Sequence, residues 1–152
     1  MLSVIVDTKG GAKALPGLLA SLVPAAMGGL VREVLVLARD ASAVTLELCE
    51  DCGAKVLQGD LPAAAAAAKS DRLLVLPADI RLAPGWIEEL ADHLACGGGD
   101  AVVVGIGPGG LLGFLKPDPT GVLVERRRLD GLTHPDLQGL RRKLGPRVPR
   151  IG

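Results

Sequence analysis

The stretch from Arg72 to Leu90, RLLVLPADIRLAPGWIEEL, restricts the fold more than any other part of the chain. Leu73 to Leu76 is an apolar run without alternation, the pattern of a strand covered on both faces of a parallel sheet. Pro77 ends the run, and Ala78 and Asp79 follow. Pro84 then stands one step inside a helix in which Ile87, Leu90, Ala91 and Leu94 recur at helical spacing. Asp79 is thereby placed at the carboxyl end of a central strand, the edge of an open α/β sheet where ligands bind. The alternative for a lone Asp in that position is an ordinary turn or cap. Trp86 reads as structural, a large ring fixed at the helix start and packed back over the strand end.

The remaining segments follow the same rhythm. Leu2 to Val6 is a first strand that closes on Asp7 and Thr8. Leu15, Leu18, Leu19, Leu22 and Val23 form the apolar face of a helix that Pro24 and Gly28-Gly29 end. Further strands are expected at residues 33–37, 55–57, 73–76 and 101–104. Between them lie a helix from Ala43 to Cys52, closed by Gly53, and an alanine-rich helix from Pro62 to Lys69. This alternation predicts right-handed crossovers and an α/β fold, a three-layer α/β/α sandwich on a mostly parallel sheet. Gly and Pro crowd residues 105–121, which predicts loop. Residues 120–124 then give a short strand, residues 125–128 an Arg-rich turn, and Thr133 onward a helix in which Leu137, Leu140, Arg141 and Leu144 repeat every three or four residues.

A chain of 152 residues with 49% hydrophobic content suffices for one domain with a packed core. Its 17 basic and 17 acidic residues cancel, and one Trp, one Phe and no Tyr leave no stacking platform, so nucleic-acid binding is not expected. No signal-peptide pattern opens the sequence, and no apolar stretch is long enough to span a bilayer, which reads as cytoplasmic. Cys49 and Cys52 form a C-x-x-C, and His93 with Cys96 an H-x-x-C, so a four-ligand zinc site is conceivable. The plainer reading is small residues closing two helices.

The order of strand, Ala-Asp, short link, Pro-Gly-Trp and helix resembles the family-two glycosyltransferases, nucleotide-sugar enzymes of glycosyltransferase A fold. Their strand ends in Asp-x-Asp and continues into a Pro-x-Trp helix. Here Pro77 occupies the first acidic position and Asp79 the second. SVIVDTKG, EVLVLARDAS and GAKVL stand where the family carries its first nucleotide-contacting turn, its acidic base-binding turn and its Gly-Ala-x-Val strand. The resemblance implies a nucleotide-binding half over residues 1–104, with Asp7, Thr8, Asp40 and Asp79 as donor contacts, and an acceptor-side segment over residues 105–152. Asp40 serves equally as a helix N-cap. Ala63 to Ala68 replace the family's diphosphate-contacting Arg helix and offer propensity and close packing instead.

The family's acceptor-side helix begins with Glu-Asp, one of which is the general base. Thr133-His134 fall on that pair and Asp136 just after it, which makes His134 and Asp136 the catalytic candidates; the alternatives are a solvated loop histidine and a first-turn Asp favouring the helix dipole. The resemblance further implies Mn²⁺ or Mg²⁺ at Asp79, a nucleotide-diphospho-sugar donor and transfer to an acceptor hydroxyl with inversion. Arg126, Arg127, Arg128, Arg141, Arg142, Lys143, Arg147 and Arg150 crowd the last quarter, as a solvated face, as a diphosphate partner, or as a peripheral membrane contact. The lost first acid, the alanine tract and the missing Glu-Asp favour a second reading, a non-catalytic binding member of the same fold. A third, a nucleotidyltransferase, rests on Gly10-Gly11-Ala12-Lys13, which faintly echoes a Gly-rich phosphate loop.

Overall fold

In the computed structural model, which describes residues 1–9, 12–38, 42–107 and 118–152, the apolar runs pair side by side in one sheet. Its strands are β1 (Leu2–Asp7), β2 (Val31–Leu37), β3 (Lys55–Leu57), β4 (Arg72–Pro77), β5 (Ala101–Val104), β6 (Thr120–Glu125) and β7 (Arg150–Ile151). They lie in the order β3-β2-β1-β4-β6-β5-β7. Every neighbouring pair is parallel except those made by β6, which runs antiparallel between β4 and β5. β1 and β4, the most continuously apolar strands, sit centrally, as strands buried on both faces must.

Successive side chains of a strand point to opposite faces, so each central strand feeds two cores. Val4, Val6, Leu74 and Leu76 pack under α1 (Leu15–Met27), α2 (Ala43–Asp51) and α4 (Trp86–Ala95). Ile5, Leu73 and Val75 pack under α3 (Leu61–Ala67) and α5 (Leu137–Leu144). The result is the expected three-layer sandwich. The alanine tract behaves as its composition suggests, with Ala64 and Ala65 buried against the sheet. Trp86, 6% exposed, belongs to the first core.

Local details depart from the sequence reading. Pro24 does not end α1, which continues to Met27. Leu22 and Ala25, on either side of it, are both buried, and keeping them on the sheet holds the last turn helical; Gly28 N–H then donates to the Pro24 carbonyl at 2.9 Å and Leu30 N–H to that of Ala25 at 3.0 Å. Val23 is 48% exposed, because the buried stripe runs through Leu15, Leu18, Leu19, Leu22 and Ala25 and turns away from it. Pro84 lies before α4 rather than inside it, and Gly85 is the N-cap. The Arg-rich turn is a short 3-10 helix, Arg126–Leu129. Within residues 105–121, Thr120 and Gly121 already belong to β6, and Gly105 bridges Leu82. A Cβ on Gly121 would stand 2.8 Å from the Val75 carbonyl oxygen, so glycine is what allows β6 to approach β4 there. The positions 108–117 of that loop reading lie outside the described residues.

The end of the sheet away from the cleft described below is closed by a polar network. Ser3, fully buried, donates to Glu33 Oε1 at 2.8 Å and accepts from the Ser70 N–H at 3.2 Å. Burial works to raise the Glu33 pKa, but the Lys69 N–H, the Ser3 hydroxyl and Lys55 together hold it below its ordinary value.

Candidate functional site

The chain leaves β1 towards β2 on one side and returns through β4 on the other, so the crevice between their carboxyl ends is the switch point of the sheet. Asp7 lies opposite Pro77 in register, and the Ala78 N–H donates to the Asp7 carbonyl at 2.9 Å. A cleft of about 910 Å³ opens here. Asp7 and Lys9 reach it from the end of β1, and Pro77, Asp79 and Arg81 from the end of β4 and the link that follows. Asp118 and Thr120 enter at the start of β6, Asp136, Gln138 and Arg141 come from α5, and Arg150 from β7. Among the described lining residues four carboxylates thus face four cations.

Asp79 is exposed on the turn after β4 and makes no hydrogen bond or ion pair to the described residues, as a ligand-facing carboxylate should. Asp136 is otherwise engaged. It is the N-cap of α5, with Oδ1 accepting from the Gly139 N–H at 2.8 Å and Oδ2 from Lys9 Nζ at 2.8 Å. The Lys9 hydrogen bond, then the Gly139 N–H, hold its carboxyl below the usual carboxylate range. A carboxylate stabilised in this way is a weak base and a strong anchor.

The structure brings Asp7, Asp79 and Asp136 into one cleft and leaves Thr8 and His134 outside its described lining. His134 borders a separate hollow of about 500 Å³ with Thr133, Arg142 and Lys143. The turn carrying it folds tightly over α5, where a Cβ on Gly139 would collide with the His134 carbonyl oxygen. Thr8 donates its hydroxyl to the Leu37 carbonyl at 2.6 Å, which ties β1 to β2. Asp40, Gly10 and Gly11 lie outside the described residues, and Lys13 is not among the cleft residues.

Arg141 was legible as part of a helical repeat and as one of the basic residues crowding the last quarter, and its placement sets it apart from the others. It is half-buried, its Nε is buried with no hydrogen-bond partner among the described residues, and it shares the cleft with Asp79. Burial lowers its pKa and Asp79 works in the opposite sense, so the guanidinium stays ionised. The available signal was a basic residue inside the otherwise apolar stripe Leu137, Leu140, Leu144. Arg81 and Asp118 reach the cleft with no local sequence signal, through the topology alone, and Arg150 was marked only as a member of the basic last quarter.

Among the described residues no group of three His, Cys, Asp or Glu side chains is arranged to hold a metal ion. The zinc reading therefore fails. Cys49 is buried in the first core, Cys52 and Cys96 are exposed, and the His93 Nε2 lies 3.0 Å from the Gly99 carbonyl oxygen. Burial, then the neighbouring Cys52, push the Cys49 thiol up, which leaves it unreactive. For a divalent ion arriving with a diphosphate the demand is smaller, since Mg²⁺ is commonly held by one or two carboxylates plus substrate phosphates. Asp79, exposed and unpaired, fits that part.

The basic last quarter is dispersed. Arg126 donates to the carbonyls of Ala68 and Ser70 at 2.6 and 2.8 Å, Arg127 pairs with Glu125 at 2.6 Å and Arg128 with Asp100 at 2.7 Å. Arg141 and Arg150 line the cleft. No helix among the described residues is long and apolar enough to cross a membrane.

No protein-family model and no curated protein sequence matches the chain. Solved structures do. Glucosyl-3-phosphoglycerate synthase from Mycobacterium tuberculosis in complex with phosphoglyceric acid superposes with a TM-score of 0.63 at 20% identity over 87% of this chain and 59% of that one. The same enzyme in complex with Mn²⁺, UDP-glucose and phosphoglyceric acid gives 0.61 at 20% identity, with the same coverage. Mannosyl-3-phosphoglycerate synthase from Rubrobacter xylanophilus gives 0.60 at 15% identity, over 85% of this chain and 55% of that one. The chain thus spans less than two thirds of the length of these enzymes, and what the likeness shows is the architecture: the chain has the glycosyltransferase A fold.

Proposed function

We propose that this chain binds a nucleotide-diphospho-sugar in the cleft between β1 and β4 and, as a cytoplasmic glycosyltransferase-like protein, transfers the sugar to an acceptor hydroxyl with inversion. The observation that carries the reading is Asp79, an exposed carboxylate at the carboxyl end of the central strand with no partner among the described residues, in a fold shared with an enzyme whose structure holds UDP-glucose and Mn²⁺. Residues 1–104 form the nucleotide half and residues 105–152 the acceptor side. Asp79 would hold Mn²⁺ or Mg²⁺ against the diphosphate, and the ion would supply neutralisation of the leaving group. The acceptor would enter between α5 and the start of β6, where Arg81 and Arg150 favour an anionic molecule.

Titration calorimetry with UDP tests the reading. Mn²⁺ should raise the affinity of the wild type, Asp79→Asn should abolish that rise without loss of fold, and Pro77→Asp should enlarge it by adding a second oxygen ligand. Absence of UDP binding with and without Mn²⁺ would overturn it.

A second reading, binding without turnover, is favoured by the engagement of Asp136 with Lys9 and Gly139 and by the separation of His134 from the cleft. UDP-glucose incubated with Mn²⁺ and 3-phosphoglycerate separates the two. Release of UDP supports transfer, and unaltered UDP-glucose despite measured binding supports the second reading. A peripheral contact with anionic membranes would rest on the exposed Arg142 and Arg147.

A further inference from the structure

We propose that Arg141 binds the diphosphate of the donor and works against Asp79, so that the cleft holds a nucleoside diphosphate with a divalent ion absent as well as present. This deepens the donor-binding reading above and rests on it.

Four cations line the cleft, and they are not equivalent. Lys9 is committed to Asp136 at 2.8 Å and is 56% exposed. Arg81 and Arg150 are exposed and keep their water. Arg141 alone of the four is half-buried, and it makes no ion pair to the described residues. Leu137 and Leu140, both buried against the sheet, fix the helix that carries it, so the guanidinium is held in place before any ligand arrives. Its buried Nε donor has no partner among the described residues, and an unsatisfied buried donor is costly. The terminal nitrogens, which are not enclosed and make no hydrogen bond to the described residues, are the donors open to the cleft, and the planar fork of a guanidinium matches two phosphate oxygens at once.

Asp79 acts in the opposite direction. Without an ion, its negative charge repels a diphosphate and partly neutralises Arg141. With an ion it becomes a ligand. One cleft therefore has two binding modes, one carried by Arg141 and one adding Asp79 through the metal. The loss of the first acidic position to Pro77 weakens the second mode and leaves the first intact.

The test is UDP titration of wild type, Arg141→Gln, Arg141→Lys and Asp79→Asn, each with Mn²⁺ and with EDTA, alongside thermal melts. In EDTA, Arg141→Gln should weaken UDP binding about 10- to 100-fold, the range of a lost charged hydrogen bond, and Arg141→Lys should recover part of it. Asp79→Asn should tighten binding in EDTA and weaken it in Mn²⁺. A merely structural role for Arg141 would lower the melting temperature and leave the EDTA affinity of the folded variants unchanged. Equal EDTA affinity of wild type and Arg141→Gln, with both folded, overturns the inference and leaves the donor-binding reading standing. If Arg141→Gln does not fold, Arg141→Lys decides, and an EDTA affinity equal to that of the wild type overturns the inference. No UDP binding by the wild type under either condition overturns both.

Discussion

Asp136 gives one carboxylate two tasks, capping α5 and anchoring Lys9 from a point 127 residues earlier in the chain. Asp136→Asn keeps an oxygen for the cap and loses the ion pair, whereas Asp136→Ala loses both. The alanine variant should therefore fall about 1 kcal/mol in stability, the usual cost of a lost N-cap, and the asparagine variant by less. The pH dependence has a definite sign. The folded pKa lies below the ordinary value, so the stabilisation is full above that value and disappears as the pH falls through the lowered one. Urea unfolding should show a constant gap between wild type and Asp136→Asn near neutrality and a closing gap below about pH 4. A gap unchanged at low pH would mean that the carboxylate charge contributes nothing. Residues of this kind mark where sequence reasoning stops. Asp79 was legible because a strand end and a helix start bracket it, while the Lys9–Asp136 pair is made by the closing of the whole sheet. The Thr8 hydroxyl's partner was hidden for a related reason, since Leu37 becomes its neighbour only through the pairing of β1 with β2.

At the scale of elements, β1 to β6 were legible to within about two residues, the central ones because burial on both faces leaves an apolar run, whereas the two-residue β7 left no run to read. Helix ends were less so. Pro24 and Pro84 were given their average positional meanings, but the buried Leu22 and Ala25 carry α1 past Pro24, and α4 starts two residues after Pro84 with Gly85 as its cap. α5 offers a case where two element-level effects oppose each other. Gly139 lies in its first turn, where alanine would normally gain about 1 kcal/mol in helix propensity. A Cβ there would collide with the His134 carbonyl oxygen, and that atom belongs to the turn that sets the N-cap. Overpacking backbone typically costs about 1–3 kcal/mol, so the clash outweighs the propensity. Gly139→Ala should lower stability and, by shifting the first turn of α5, weaken UDP binding as well. An increase in melting temperature would show that the His134 turn yields freely.

The cleft draws its walls from residue 7 to residue 150, whereas Trp86 lies in the core beneath α4 and does not line it. Ligand and core contributions to stability should therefore be separable across the whole molecule. At a UDP concentration 100 times the dissociation constant, linkage adds about 2.7 kcal/mol. For a domain of this size each kcal/mol moves the midpoint by about 2–4 °C, so saturating UDP should raise it by roughly 5–10 °C in one cooperative transition. Trp86→Ala removes a large buried ring and should cost about 3 kcal/mol or more, lowering the midpoint by a comparable amount. Because the ring does not line the cleft, the two effects should add, and the UDP-induced shift should be the same in wild type and variant. Thermal melts of the four combinations measure both quantities at once. If Trp86→Ala keeps its midpoint but loses the UDP shift, the indole belongs to the binding site and its structural assignment is wrong. If the midpoint falls and the shift also shrinks, the core under α4 supports the geometry of the Asp79 turn, and the cleft and that core are one cooperative unit.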